Sequence, residues 1–317
     1  MQSNDALSVI PQLPEMWDEP FADSSQIPTY LVSRMAREHV TVSLSGDGGD
    51  ELFCGYNRYT QGYDIWRKIR LFPKPLQKAL AILITQVSPG LPDTVMKVLP
   101  PRLRIPALGD RLLKLAEVLQ HGDANQFYQA LVSHAKAPAD IILGACEPDT
   151  ILTNPAAWPE VSDFREQMMY LDTKTYLPDD ILTKVDRASM AVGLEARVPF
   201  LDHRLVGFAQ SLPMHMKVRN GTSKWLLRNL LYRYVPRSLV ERPKMGFGVP
   251  IDQWLRGPLR DWAGDLLDMT KLRDGGVLDP APIQKMWHEH QSGSRRWHYH
   301  LWDFLMLQAW LDHNHAS

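Results

Sequence analysis

Residues 40–51, Val-Thr-Val-Ser-Leu-Ser-Gly-Asp-Gly-Gly-Asp-Glu, hold almost the only clear strand signal in the 317-residue chain, and that strand ends in a glycine turn. The β-branched run stops at Ser45-Gly46, and helical residues resume at Leu52-Phe53. Such a turn gathers several backbone N–H groups into one concavity, an anion cradle suited to phosphate. The carboxylates of Asp47, Asp50 and Glu51 would repel a bare phosphate, so this reading requires a hard cation such as Mg²⁺ between them. The competing reading is a plain glycine-rich connection with solvated acids. An EF-hand is excluded, because neither the Asp positions nor the closing Glu fits that loop.

A lone strand is an unusual thing to find at the start of a helical chain. Residues 28–38 read as a helix with Pro28 in its first turn and Leu31 and Met35 on one face, and the strand at 40–44 follows directly. Helix then strand at this spacing suggests the last repeats of a parallel sheet, which is normally buried on both faces and has several strands. The chain is therefore expected to begin inside a domain. Beyond Tyr56 the pattern is helical to about residue 136, then loop-rich over 137–160, where Pro138, Pro148, Pro155 and Pro159 fall. Helices are expected at 162–176, 178–193, 203–211 with Asp202 as N-cap, 223–234, 252–268, 280–291 and 297–312. A short hairpin is expected around Asn220-Gly221.

Composition narrows the function classes. Lys and Arg total 35 against 36 Asp and Glu, so no global field favours nucleic acid or an acidic membrane. The longest apolar run, at 76–87, is interrupted by Gln77-Lys78 and Thr85-Gln86 and falls short of a bilayer span. No basic-then-apolar leader is visible, and the expected location is cytoplasmic. Cys54 and Cys146 are too few for a metal cluster, and both read as packed thiols.

Two further polar clusters stand out. In the first, Lys184 and Arg187 share a helix face, with Asp180 four residues before Lys184, while Glu195 and Arg197 flank a small Ala in a loop. It reads either as an ion-paired helix surface or as the wall of a substrate pocket. In the second, Lys244 lies on the Pro- and Gly-dense loop at 241–250, either solvated or held against a developing negative charge. His288, His290, His298 and His300 cluster near the C-terminus, but His288 and His290 are two apart on a helix, poor geometry for a metal.

In this order, the three clusters resemble the synthetase half of glutamine-dependent asparagine synthetases. Residues 45–56 match that family's Ser-Gly-(Glu/Asp)-Gly-x-Asp-Glu-x-Phe-x-Gly-Tyr, residues 177–190 and 194–202 match its second signature, and Arg242-Pro243-Lys244 with the following Gly-Phe-Gly matches its third. The resemblance implies an α/β ATP-pyrophosphatase fold, here a truncated parallel sheet over 1–60 followed by a mainly helical part over 61–317. It implies ATP and Mg²⁺ as cofactors, with adenylation of the aspartate side chain and displacement of AMP by ammonia. Carried over residue by residue, Asp47 and Lys244 would be catalytic, and Ser45, Gly46, Gly48, Asp50 and Glu51 would bind the nucleotide. Asp50 would also hold the metal. Asp47 stands where many members have Glu, one methylene longer. The family's N-terminal cysteine nucleophile and its Ser-Gly-Gly-x-Asp-Ser loop are absent from the sequence, in which Met1 precedes Gln2. Ammonia would thus come from a glutaminase domain not in this chain, and a homodimer is compatible with the pattern. Two alternatives stay open: a relative amidating another carboxylate such as a sugar acid, and a non-catalytic remnant with an assembly role.

Overall fold

The computed structural model describes residues 3–86, 123–135, 137–241 and 248–315, together with 112, 116 and 119. It is a mostly helical α/β structure that divides into two compact units interleaved in sequence. The first comprises Met1–Gln61, Thr150–Ile251 and Trp302–Ser317, the second Gly62–Asp149 and Asp252–Leu301.

In the first unit, helix α1 (Gln26–Arg37) leads into strand β1 (Val42–Leu44), and helix α2 (Gly49–Leu52) follows the glycine turn. The chain returns with α3 (Phe164–Lys174), a π-type turn at Leu177–Leu182, α4 (Thr183–Met190) and strand β2 (Glu195–Arg197). Helices α5 (His203–Ser211) and α6 (Trp225–Leu231) come next. β1 and β2 pair in parallel with Ser43 opposite Ala196, and the ladder extends through Glu195 N–H to Thr41 O at 2.9 Å and Ser45 N–H to Arg197 O at 2.8 Å. Each strand is preceded by a helix, and α1 packs on α4, so two helix–strand repeats lie side by side.

Local chemistry explains several of these boundaries. Asp163 and Asp202 cap α3 and α5, each accepting from a backbone N–H two residues on at 2.9 Å. Gly193, at φ 69°, ends the segment after α4. The expected hairpin is present as an Arg219–Thr222 bridge, with Asn220 and Gly221 both at positive φ. The expected single helix at 178–193 instead begins as the π-type turn, and 252–268 divides into Ile251–Arg256 and Arg260–Leu266 around Gly257-Pro258, because Pro cannot continue the helical hydrogen bonding.

Two expectations need correcting, on residues 195–197 and on Cys146. Residues 195–197 are a strand, not a loop: three residues with two charged ends carry no strand signal of their own and are strands because β1 pairs with them. The Pro- and Asp-rich start of the chain, for which no packing was expected either way, is packed, with Val9, Ile10, Leu13, Trp17 and Ile27 buried and Trp310 Nε1 donating to Trp17 O at 3.0 Å. Cys146 is exposed, because it falls in an extended, loop-rich stretch; Cys54 is buried, and burial pushes its thiol up to about 12.

The second unit is helical. Tyr63–Ile69, Lys74–Gln86, Ala124–Val132, Met269–Gly275 and Pro280–Ser292 surround a core that includes Phe127, Leu255, Leu267, Leu272 and Ile283. No described helix is long and apolar enough to cross a membrane.

Candidate nucleotide site

The glycine turn leaves β1 at Ser45 and folds back on itself. The Ser45 hydroxyl donates to the Asp47 carboxylate, while Asp47 N–H donates to Ser45 Oγ at 3.3 Å. Gly49 N–H reaches Gly46 O at 3.3 Å, with Gly48 at φ 79° between them. A side chain at Gly48 would start 2.7 Å from Leu201 Cδ2, whereas one at Gly46 would meet nothing within 4 Å. The turn is thus closed where β2's following loop packs on it and open at Gly46. Leu52 and Phe53 anchor it in an apolar cluster with Ala209, and Phe200, Leu205 and Leu226 pack against them.

The three acids of the turn have different surroundings. Asp47 faces Ser45. Asp50 Oδ2 lies 2.9 Å from Lys224 Nζ, and both side chains are about a quarter exposed (26% and 24%). Glu51 is buried and accepts from the Tyr56 hydroxyl at 2.7 Å; burial raises its pKa above the ordinary range despite that hydrogen bond. Burial, with Glu51 beside it, also drives the Tyr56 phenol well above its usual value. The Tyr56–Glu51 hydrogen bond thus braces the turn from its buried side.

From Tyr56 the polar network runs into the second sequence cluster. Arg58 lies over the Tyr56 and Tyr176 rings, 4.3 and 4.5 Å from their centroids, a cation–π sandwich. Its Nε donates to the fully buried Asp172 at 2.7 Å, and the Tyr59 hydroxyl donates to the same oxygen. Tyr176, pushed to about 12 by burial and by Asp180, marks the passage to Lys184. Lys184 is not on a helix surface: it is buried between Asp23 and Asp180, with Asp180 Oδ1 at 3.0 Å. Arg187 pairs with Asp18. Glu195 and Arg197 pair with each other at 2.7 Å and are exposed. So the first two clusters are joined, through residues the motif reading did not single out: Asp23, Arg58, Asp172, Tyr176 and Lys224. Only Arg58 and Tyr176 flank a motif, and nothing in the sequence around Lys224 distinguishes it from any solvated lysine.

Lys244, with Arg242 and Pro243, lies outside the described residues. The histidine cluster is resolved differently. His290 is fully buried with Trp297 N–H donating to its Nδ1 at 3.3 Å, and no group of three His, Cys, Asp or Glu among the described residues could hold a metal. The partly exposed carboxylates of Asp50 and Asp47 do fit Mg²⁺, which takes one or two carboxylates and completes its shell with phosphate and water.

The profile of the asparagine synthase family matches residues 1–312. A protein named as a glutamine-hydrolyzing asparagine synthetase in Mycobacterium tuberculosis is 34% identical over 98% of this chain and 45% of its own length. Asparagine synthetase (glutamine-hydrolyzing) 1 of Bacillus subtilis is 29% identical over 96% of this chain and 45% of its own. The asparagine synthetase of Bos taurus is 31% identical over 45% of this chain and 28% of its own. The chain thus spans less than half the length of these relatives. By the match of its profile over residues 1–312, this chain belongs to the asparagine synthase family.

Proposed function

We propose that the chain is the synthetase part of an ATP-dependent ligase that converts aspartate to asparagine, built on the ATP-pyrophosphatase fold. The aspartate β-carboxylate attacks the α-phosphorus of ATP, and the bond to pyrophosphate breaks. Ammonia then attacks the acyl carbon of the adenylate, AMP leaves, and one proton is released. The observation that carries this reading is the turn itself: it is open at Gly46 and closed at Gly48, and Asp50, about a quarter exposed, stands at its end beside the Lys224 ammonium. Gly46 has room for close approach of a phosphate, and Ser45 holds Asp47 toward the bend. Glu51 supports the turn through Tyr56. Asp50 would hold Mg²⁺, which when bound would neutralise the leaving pyrophosphate. Lys244, by its position in the third signature, would offset charge that develops during adenylation.

The reading is tested with aspartate, ammonia and Mg·ATP, on this chain carried within a full-length asparagine synthetase. Asp50→Asn is expected to lower pyrophosphate release by about 10²-fold or more, the scale for one charge partner of a transition state. Near-normal release from that variant would overturn the assignment.

A further inference from the structure

Asp50 and Lys224 meet at a strained point of the chain. Among the described residues, three that are not glycine adopt positive φ: Cys54 at 58°, Asn220 at 49° and Lys224 at 52°. Asn220 sits in a hairpin turn, where that conformation is ordinary. Cys54 and Lys224 have no such excuse, and they are neighbours: Lys224 N–H donates to Phe53 O at 3.2 Å. Between them, Gly55 donates its N–H to Asp50 O at 2.8 Å, and a Cβ on Gly55 would fall 1.9 Å from Asp50 Oδ1 and 2.2 Å from Lys224 Cε. The left-handed backbone and the missing side chain are what let the ammonium reach the carboxylate. The same ammonium lies 3.8 Å from where a Gly49 side chain would begin, at the bend. Strain of this kind persists where the surroundings impose it and gathers at working sites.

We propose that Asp50 and Lys224 are a placeholder pair that a metal–polyphosphate ligand splits. In the free protein each neutralises the other. When Mg²⁺ arrives on a polyphosphate, the carboxylate turns to the cation and the ammonium to a phosphate oxygen, because an ammonium and a divalent cation cannot share one carboxylate without mutual repulsion. Both opposite charges are thereby kept paired through the exchange, and a bend lined by carboxylates can accept an anion. This rests on the nucleotide reading of the turn and adds to it a residue, Lys224, that binds one half of the ligand while positioning Asp50 for the other.

The exchange predicts changes of opposite sign, read by binding alone. In Lys224→Gln, Mg·pyrophosphate followed by calorimetry should bind about tenfold or more weaker, for loss of a charged hydrogen bond. Mn²⁺ titrated alone and followed by its EPR signal should bind about two- to fivefold tighter, because its competitor for Asp50 is gone. Lys224→Arg, which keeps the charge, should recover Mg·pyrophosphate binding at least in part. Weakening of both ligands in Lys224→Gln would show a merely structural lysine, and no change in either would show a bystander; both overturn the exchange. If opposite shifts appear but no amide forms from any carboxylate, the exchange stands and the ligase reading falls. Wild-type protein that takes up no Mg·pyrophosphate would overturn both.

Discussion

Lys184 and His290 are two buried titratable residues with opposite dependence on their neighbours. Lys184 keeps its charge: burial disfavours it, but Asp23 and Asp180 raise its pKa above the ordinary value. Replacing it with Met would leave two carboxylates facing each other in a buried site, and we expect a loss of about 3–5 kcal/mol, read as a lowered thermal midpoint. A Lys184→Met variant as stable as wild type would mean the triad is solvated. Its Asp180 adds a pH signature. Burial and then Asp23 raise that carboxyl to about 6, so its contribution is fully present below the ordinary carboxylate range and is lost as pH rises through about 6. His290 behaves in the reverse sense. Burial, then the Arg256 charge, lowers it to about 4 from 6.5, so its contribution is present above 6.5 and lost as pH falls toward 4. We expect near-UV circular dichroism of the aromatic residues, Trp297 among them, to change around pH 4 in wild type, and His290→Gln to flatten that change. A profile unaltered by the substitution would place the titration elsewhere.

At the scale of elements, the turn between β1 and α2 divides its glycines by role. Gly48 is held at positive φ with Leu201 on it, so Gly48→Ala adds a left-handed penalty of about 1–2 kcal/mol and displaces Leu201. Gly46→Ala meets no atom of the protein within 4 Å and should leave the thermal midpoint nearly unchanged. If the open bend admits a phosphate, Gly46→Ala should nonetheless weaken Mg·ATP binding; unaltered binding would move the ligand away from Gly46. The glycine turn was readable from residues 45–51 because its signal is local, as was the cap at Asp202. β2 was not, since Glu195-Ala196-Arg197 becomes a strand only by pairing with β1, about 150 residues away in sequence. Lys224 was hidden for the same reason: its meaning depends on Gly55 and Asp50 being brought beside it. Lys184 looked like a surface lysine because Asp180 is its helix neighbour; only Asp23, from the N-terminal segment, reveals the burial.

The whole molecule carries a surface that an isolated protein of this kind does not ordinarily expose. Val42 and Leu44 point to one face of the two-stranded sheet, opposite Glu195 and Arg197, and all four are exposed, Leu44 at 74%. The other face is represented by Ser43 and Ala196, which are half-buried. Val40, on the approach to β1, is exposed as well. Parallel strands are normally covered on both faces, and among the described residues β1 is paired only with β2. An aliphatic strand with an open edge recruits other strands, so the 317-residue chain made as a separate polypeptide should self-associate or bind chaperones. It should also show no aspartate-dependent conversion of Mg·ATP to AMP and pyrophosphate. Light scattering beside a pyrophosphate-release assay checks both statements. Val42→Thr with Leu44→Thr puts β-branched residues at both positions while making the exposed face polar, and should shift the population toward monomer without restoring turnover. A monodisperse wild-type chain that turns over would show that the open face needs no cover and that these residues suffice for the chemistry.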